Sequence, residues 1–230
     1  MACKRLLFVS ALLLSLPGLV WTQTPAQAPN SPPTSTAPQA EHRQASDPYT
    51  GDLFIFDSPG RDQRLQIDRV MDILGIRSGK NVADIGAGSG WFTVRAARRV
   101  GALGMVYAVE INPDALRYIH DRAEKEGLHN VKTVMGKSFD PMLPAKVNAV
   151  LMLETYHEIA EPVVLLKNLR ASLSPGARVG IIDRNGNREN HGLPKEVVIR
   201  EAAQAGYRLV EQDDFVKPAG MDYFLVFAAK

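Results

Sequence analysis

From residue 61 onward, apolar runs of strand length alternate with segments of helical period. No other feature of the chain limits its fold as much. Helical spacing predicts helices over 65–74, 91–100, 113–127, 162–173 and 195–205. Apolar runs predict strands over 81–85, 105–109, 131–135, 147–153, 178–182, 207–210 and 223–227. Pro113 opens one helix, and Gly75, Gly101 and Gly127 each stop one. Such alternation predicts an α/β fold with a mostly parallel sheet and helices on both faces. Ligands of these sheets bind beyond the carboxyl ends of the strands, where the strand order reverses. The loops after residues 85, 109, 135, 153 and 182 should therefore surround one crevice.

The loop after the first strand reads Asp84-Ile85-Gly86-Ala87-Gly88-Ser89-Gly90. Glycines let a backbone turn sharply and approach a ligand with no Cβ in the way. The helix that follows offers free N–H groups at its start. A dinucleotide fingerprint needs G-x-G-x-x-G. Counted from Gly86, its third glycine would be Trp91; counted from Gly88, it would be Thr93. A nucleotide-dependent oxidoreductase is therefore disfavoured. The phosphate loop G-x-x-x-x-G-K-[ST] is absent as well.

The spacing that fits is D-x-G-x-G-x-G, which resembles the first motif of class I S-adenosylmethionine-dependent methyltransferases. Val106-Tyr107-Ala108-Val109-Glu110 resembles their second strand, which ends in the acid that holds the ribose hydroxyls. Leu173-Ser174-Pro175-Gly176-Ala177 resembles their turn before strand five. The resemblance covers about residues 52–228. It implies a Rossmann-like seven-stranded fold and S-adenosylmethionine as cofactor. It also implies cofactor contacts from Asp84, Gly86, Ala87, Gly88, Gly90, Glu110, Ile111 and Glu154. Asp84 either reaches the amino end of the cofactor or bonds loop N–H groups to fix the turn.

After strand three the family often has an aspartate for the adenine amino group. Here Lys137 stands in that place, and a lysine cannot accept a hydrogen bond. Asp140, in the phrase D-P-x-L-P, is the acidic substitute, and Phe139 could pack on adenine or lie in the core. This phrase and the Tyr156-His157-Glu158 run after strand four resemble one exported methyltransferase-like subset. Family members that methylate nucleic-acid bases carry two prolines after strand four, and this chain has neither. The resemblance implies that His157 and Tyr156 stand on the acceptor side. As a neutral base, His157 would act near the ordinary imidazole pKa of about 6.5; alternatively it caps the next helix. The stretch from Asp183 to Pro194 either forms a lid that brings Arg184 to an anionic substrate or is a solvated loop. The five histidines show no metal-ligand spacing, so no metal site is expected.

Residues 1–22 have the form of a secretory signal. Lys4 and Arg5 precede an apolar run of about 15 residues, short of the roughly 20 that span a bilayer. Cleavage would follow residue 22 or residue 28; uncleaved, the same segment would anchor the domain outside the cytoplasm. The domain is thus expected to be periplasmic or secreted, with no stable membrane span after cleavage. The only cysteine is Cys3, inside that leader. Residues 23–50 are rich in Pro, Ala, Ser, Thr and Gln and read as a disordered linker, which leaves a domain over 51–230. Lys and Arg total 27 against 25 Asp and Glu; without Lys4 and Arg5 the balance is 25 to 25. Such neutrality gives no support to nucleic-acid binding by general attraction. A methyltransferase with a small-molecule acceptor is therefore the first reading. A non-catalytic binding module of the same fold is the alternative, because S-adenosylmethionine is made in the cytosol. The sequence leaves the oligomeric state open.

Overall fold

The computed structural model describes Tyr49, residues 51–186 and residues 191–230. The expected leader at 1–22 and most of the expected linker lie outside the described residues. No helix among the described residues is long and apolar enough to cross a membrane.

Seven strands form one sheet: β1 (Val82–Ile85), β2 (Val106–Glu110), β3 (Val131–Met135), β4 (Val147–Leu153), β5 (Leu173–Asp183), β6 (Tyr207–Asp213) and β7 (Tyr223–Ala229). Their spatial order is β3-β2-β1-β4-β5-β7-β6. All pairs are parallel except those of β7 with β5 and β6. The order reverses between β1 and β4, which opens the crevice at their carboxyl ends.

Burial on both faces explains the unbroken apolar runs. Val82 packs with α2 (Ile67–Ile73) and α3 (Trp91–Val100) on one face. Its neighbour Ala83 packs with α5 (Pro162–Arg170) and α6 (Lys195–Gln204) on the other. Leu151 and Met152 divide in the same way along β4, and burial of each contributes roughly 1.5–3 kcal/mol. Helix α4 (Pro113–Lys125) starts where Asn112 accepts from the Asp114 N–H at 2.8 Å, with Pro113 at the first helical position.

Among the boundaries that differ from expectation, three have a reason in the packing or pairing. The helix expected over 65–74 is two helices, α1 (Arg61–Leu65) and α2, joined at Gln66 with φ 49°. Leu65 and Ile67 are both buried. Residues two apart on one helix point roughly 200° apart, so a turn at Gln66 is what brings both inward. Strand β5 starts at Leu173, which pairs with Val147 before an irregularity in register, so the Ser-Pro-Gly turn lies within the strand. Strand β6 runs past its apolar run because Glu211, Gln212 and Asp213 continue the ladder on β7 at a mostly exposed edge. Tyr49, expected at the end of the linker, is docked: its carbonyl accepts from Asn112 Nδ2 at 2.8 Å, and its ring meets Phe56 edge-on.

Candidate active site

A cleft of ≈ 750 Å³ opens at the carboxyl ends of β1, β2 and β4. Its floor is the glycine loop. Gly86 has φ 72° and lies so close to β4's following loop that a Cβ would meet the Cβ of Thr155 at 2.8 Å. Gly88 has φ 55°, and its N–H donates to Glu110 Oε1 at 2.7 Å. Glu110 Oε2 accepts from the Ile111 N–H at 3.0 Å. Backbone donors on either side thus aim the carboxylate at the end of β2. Burial raises the Glu110 pKa, against the backbone N–H groups that favour its charge.

Asp84 is 2% exposed and accepts from Thr93 Oγ1 at 2.6 Å. Burial pushes its pKa up to about 7; the Thr93 hydrogen bond opposes this, and the charge of Glu110 adds to it. Asp84, Gly86, Ala87, Gly88, Glu110, Ile111 and Glu154, the residues expected to contact the cofactor, all line the cleft. Gly90 lies just outside it, at the start of α3, where its backbone accommodates Ile119.

The segment before α1, which the sequence left either closing over the cofactor or without a readable role, roofs the loop. Asp57 accepts from Ser89 Oγ at 2.9 Å and from Arg122 Nη1 at 2.7 Å. Arg61 donates to the Phe56 carbonyl at 2.6 Å and lies over the Trp91 ring. Phe56 itself faces Gly88. Asp57 and Arg122 are 65 residues apart, so no local motif could have paired them.

Two expected adenine contacts fall elsewhere. Asp140 is turned into its own loop, where Oδ1 accepts from the Met142 N–H at 2.8 Å. The Phe139 ring is 40% exposed, so it is neither on the cleft wall nor in the core. The tight Lys137–Asp140 bridge turns both side chains away and leaves Lys137, Ser138 and Pro141 on the wall.

The wall where an acceptor was expected is built on the loops after β4 and β5. Glu154, in a left-handed conformation with φ 55°, is held by Arg61 at 2.5 Å and Arg184 at 2.6 Å. Arg184, read from the sequence as either on a lid or in a solvated loop, is a strut of the cleft wall; residues 187–190 of that stretch lie outside the described residues. Tyr156, expected to line the pocket, is fully buried and donates to Glu201 Oε2 at 3.0 Å. It packs in the core beneath β4 because the chain turns inward there.

His157 does face the cleft. Its Nδ1 lies 2.8 Å from Asp183 Oδ1, and its Nε2 lies 2.9 Å from Glu158 Oε1. Burial pulls the imidazole pKa down, but Asp183 and Glu158 pull it up further, so it rests above the ordinary value. A neutral base at the ordinary value does not match this environment. Nor does a helix cap: α5 begins at Pro162, with Glu161 as its N-cap. The histidines are also less scattered than their spacing implied. His191 Nδ1 stands 3.2 Å from the same Glu158 oxygen, 33 residues along the chain.

Comparison with known proteins agrees with this geometry. A family described as a methyltransferase domain matches residues 76–214. A protein-L-isoaspartate O-methyltransferase of Pyrococcus horikoshii is 29% identical over 113 residues, which are 48% of this chain and 47% of that protein. A nocamycin O-methyltransferase of Saccharothrix syringae is 30% identical over 117 residues, covering 49% of this chain and 41% of the relative. The chain thus spans about half the length of the relatives it matches, or less. A solved structure described as a SAM-dependent methyltransferase from Aquifex aeolicus superposes with TM-score 0.68 at 23% identity, covering 76% of this chain and 95% of that one. That last likeness speaks for the fold, and the family match reaches from before β1 to just past β6. With the glycine loop and the acid closing β2 in place, the chain belongs to the class I S-adenosylmethionine-dependent methyltransferase family.

Proposed function

We propose that this protein transfers a methyl group from S-adenosylmethionine to a small-molecule acceptor. The observation that carries the reading is the convergence of Glu110, Asp84 and the Gly88 backbone on one cleft of ligand size. The residues fit the cofactor: Gly88 leaves open a cradle that a side chain would fill, Glu110 presents acceptors for a ribose diol, and Asp84 presents one for an ammonium group. Lys137 and Ser138 replace Phe139 and Asp140 as candidates at the adenine end.

When bound, S-adenosylmethionine supplies an electrophilic methyl group on a positively charged sulfur. Such a carbon needs no protein nucleophile. The protein's work is to align the acceptor and exclude water. The Phe56 and Asp57 roof covers the cleft beside the glycine loop, and the Glu154 struts fix the wall opposite. A small-molecule acceptor is supported by the absence of an inserted domain among the described residues and by natural-product methyltransferases among the relatives. Incubation with methyl-labelled S-adenosylmethionine and a panel of small hydroxyl and amine acceptors tests the reading. Label should pass to at least one acceptor; retention of all label by a protein that binds the cofactor would leave only a binding module.

Two outcomes follow for the cofactor. Glu110→Ala should weaken binding of S-adenosylhomocysteine by about 1–3 kcal/mol, the usual loss for hydrogen bonds to a charged group. Calorimetric titration reads this directly, and an unchanged affinity would remove Glu110 from the site. The second outcome concerns Asp84. Its folded pKa of about 7 lies above the ordinary carboxylate value, so the free protein keeps the proton up to neutrality. This raised pKa contributes stability at low pH that is lost as pH rises through about 7. Binding runs the other way, since only ionised Asp84 attracts the ammonium group. Cofactor affinity should therefore rise with pH by up to about tenfold per unit below 7 and level off above it. Asp84→Asn should flatten that profile; an identical slope in the variant would assign it to another group.

A further inference from the structure

We propose that His157, Glu158 and His191 form a site for one divalent transition-metal ion of the zinc type, on the acceptor side of the cleft. One ligand atom of each residue lies within 4.8 Å of the other two. The Glu158 oxygen is 2.9 Å from His157 Nε2 and 3.2 Å from His191 Nδ1. Two donors each about 2.0 Å from a tetrahedral zinc stand about 3.3 Å apart, so these separations need only small side-chain adjustments.

The donor chemistry points the same way. Two imidazole nitrogens and one carboxylate suit zinc and its first-row neighbours, and three protein ligands leave a position open for a ligand from solution. A hard cation such as magnesium would want oxygen donors instead.

What lies behind the ligands strengthens the case. Fully buried Asp183 takes His157 Nδ1 at 2.8 Å and the His157 backbone N–H at 3.1 Å. That bond keeps a proton on Nδ1, so Nε2, which faces Glu158, is the atom left to ligate once a metal displaces its proton to water. Carboxylate, histidine and open ligand position then stand in line, the usual support of a ligating imidazole. His191 adopts φ 52°, an uncommon backbone state for a residue with a side chain, and this conformation accompanies the approach of its ring to Glu158. All three residues line the same cleft as Glu110 and Asp84. Resting on the methyl-transfer reading, the open position would take an oxygen of the acceptor. A hydroxyl there would release its proton to water more readily than in free solution, with only the O–H bond broken.

The test uses the full-length chain, stripped with EDTA, dialysed, and titrated calorimetrically with zinc chloride. One zinc per chain should bind, with a rise in melting temperature. His191 is 72% exposed, so His191→Ala should melt like the parent in EDTA. It should nonetheless weaken zinc binding by at least about tenfold and lose the zinc-dependent rise. Glu158→Gln should behave alike, whereas His120→Ala, at an exposed position on α4, should leave zinc binding unchanged. Equal zinc affinity in the parent and His191→Ala, or no saturable binding in the parent, would overturn the proposal. Titration with S-adenosylhomocysteine in EDTA separates the two readings. Loss of that binding while zinc still discriminates His191→Ala would defeat the cofactor assignment and uphold the metal site.

Discussion

Gly88→Val should weaken binding of S-adenosylhomocysteine by at least about 30-fold while leaving a folded, cooperatively melting protein. At φ 55° an L side chain costs about 1–2 kcal/mol. A Cβ here would stand 3.5 Å from the Phe56 ring, so valine's methyl groups would press between loop and roof, at about 1–3 kcal/mol more. In the free protein the loop can relax outward and shed this strain. Binding requires the native loop, so the cost reappears in affinity, together with the Gly88 N–H that orients Glu110. The sum, about 2–5 kcal/mol, is a loss of at least roughly 30-fold. Calorimetry reads the affinity and circular dichroism the melt. Affinity within a few-fold of the parent would place the ligand away from the glycine loop.

Gly86→Ala should act on the fold as well as on the site. Its added methyl would overlap Thr155, meeting that residue's Cβ at 2.8 Å, and rotating the threonine cannot move its Cβ aside. Both residues follow paired strands, β1 and β4, so neither backbone can retreat freely. With φ at 72°, the strain and overpacking together should destabilise the protein by about 2–5 kcal/mol. For a domain of this size that lowers the melting temperature by roughly 5–15 °C. Thr155→Gly in the same chain should restore the overpacking share of about 1–3 kcal/mol and leave the strain. Strictly additive effects in denaturant unfolding would show that the two residues do not collide.

The sheet was legible because its central strands are buried on both faces, so Val82-Ala83 and Leu151-Met152 had to be apolar in succession. The cofactor half of the cleft was legible for a related reason. A glycine loop and the acid closing β2 are local phrases fixed by backbone geometry. The acceptor half was not, because its contacts join distant residues. Glu154 with Arg61 and Arg184, and Glu158 with His191, pair residues 30 or more positions apart, and the Asp57–Arg122 pair that roofs the glycine loop was hidden for the same reason. Tyr156 and Asp140 misled in one way: a polar residue in a functional loop was taken to face the cleft. Tyr156 instead meets buried Glu201, and Asp140 closes its own turn. Gln66 carries no glycine or proline to mark its break. The cue was Leu65 and Ile67 flanking it, two apolar residues that one helix face cannot hold together.

One titration tests the central claim, that the crevice between β1, β2 and β4 holds S-adenosylmethionine. S-adenosylhomocysteine titrated calorimetrically into the full-length protein should bind one to one, with Kd between about 1 μM and 1 mM. The same titration into folded Gly88→Val should show an affinity lower by at least about 30-fold. A parent protein that melts cooperatively yet shows no saturable heat with either S-adenosylhomocysteine or S-adenosylmethionine would contradict the claim.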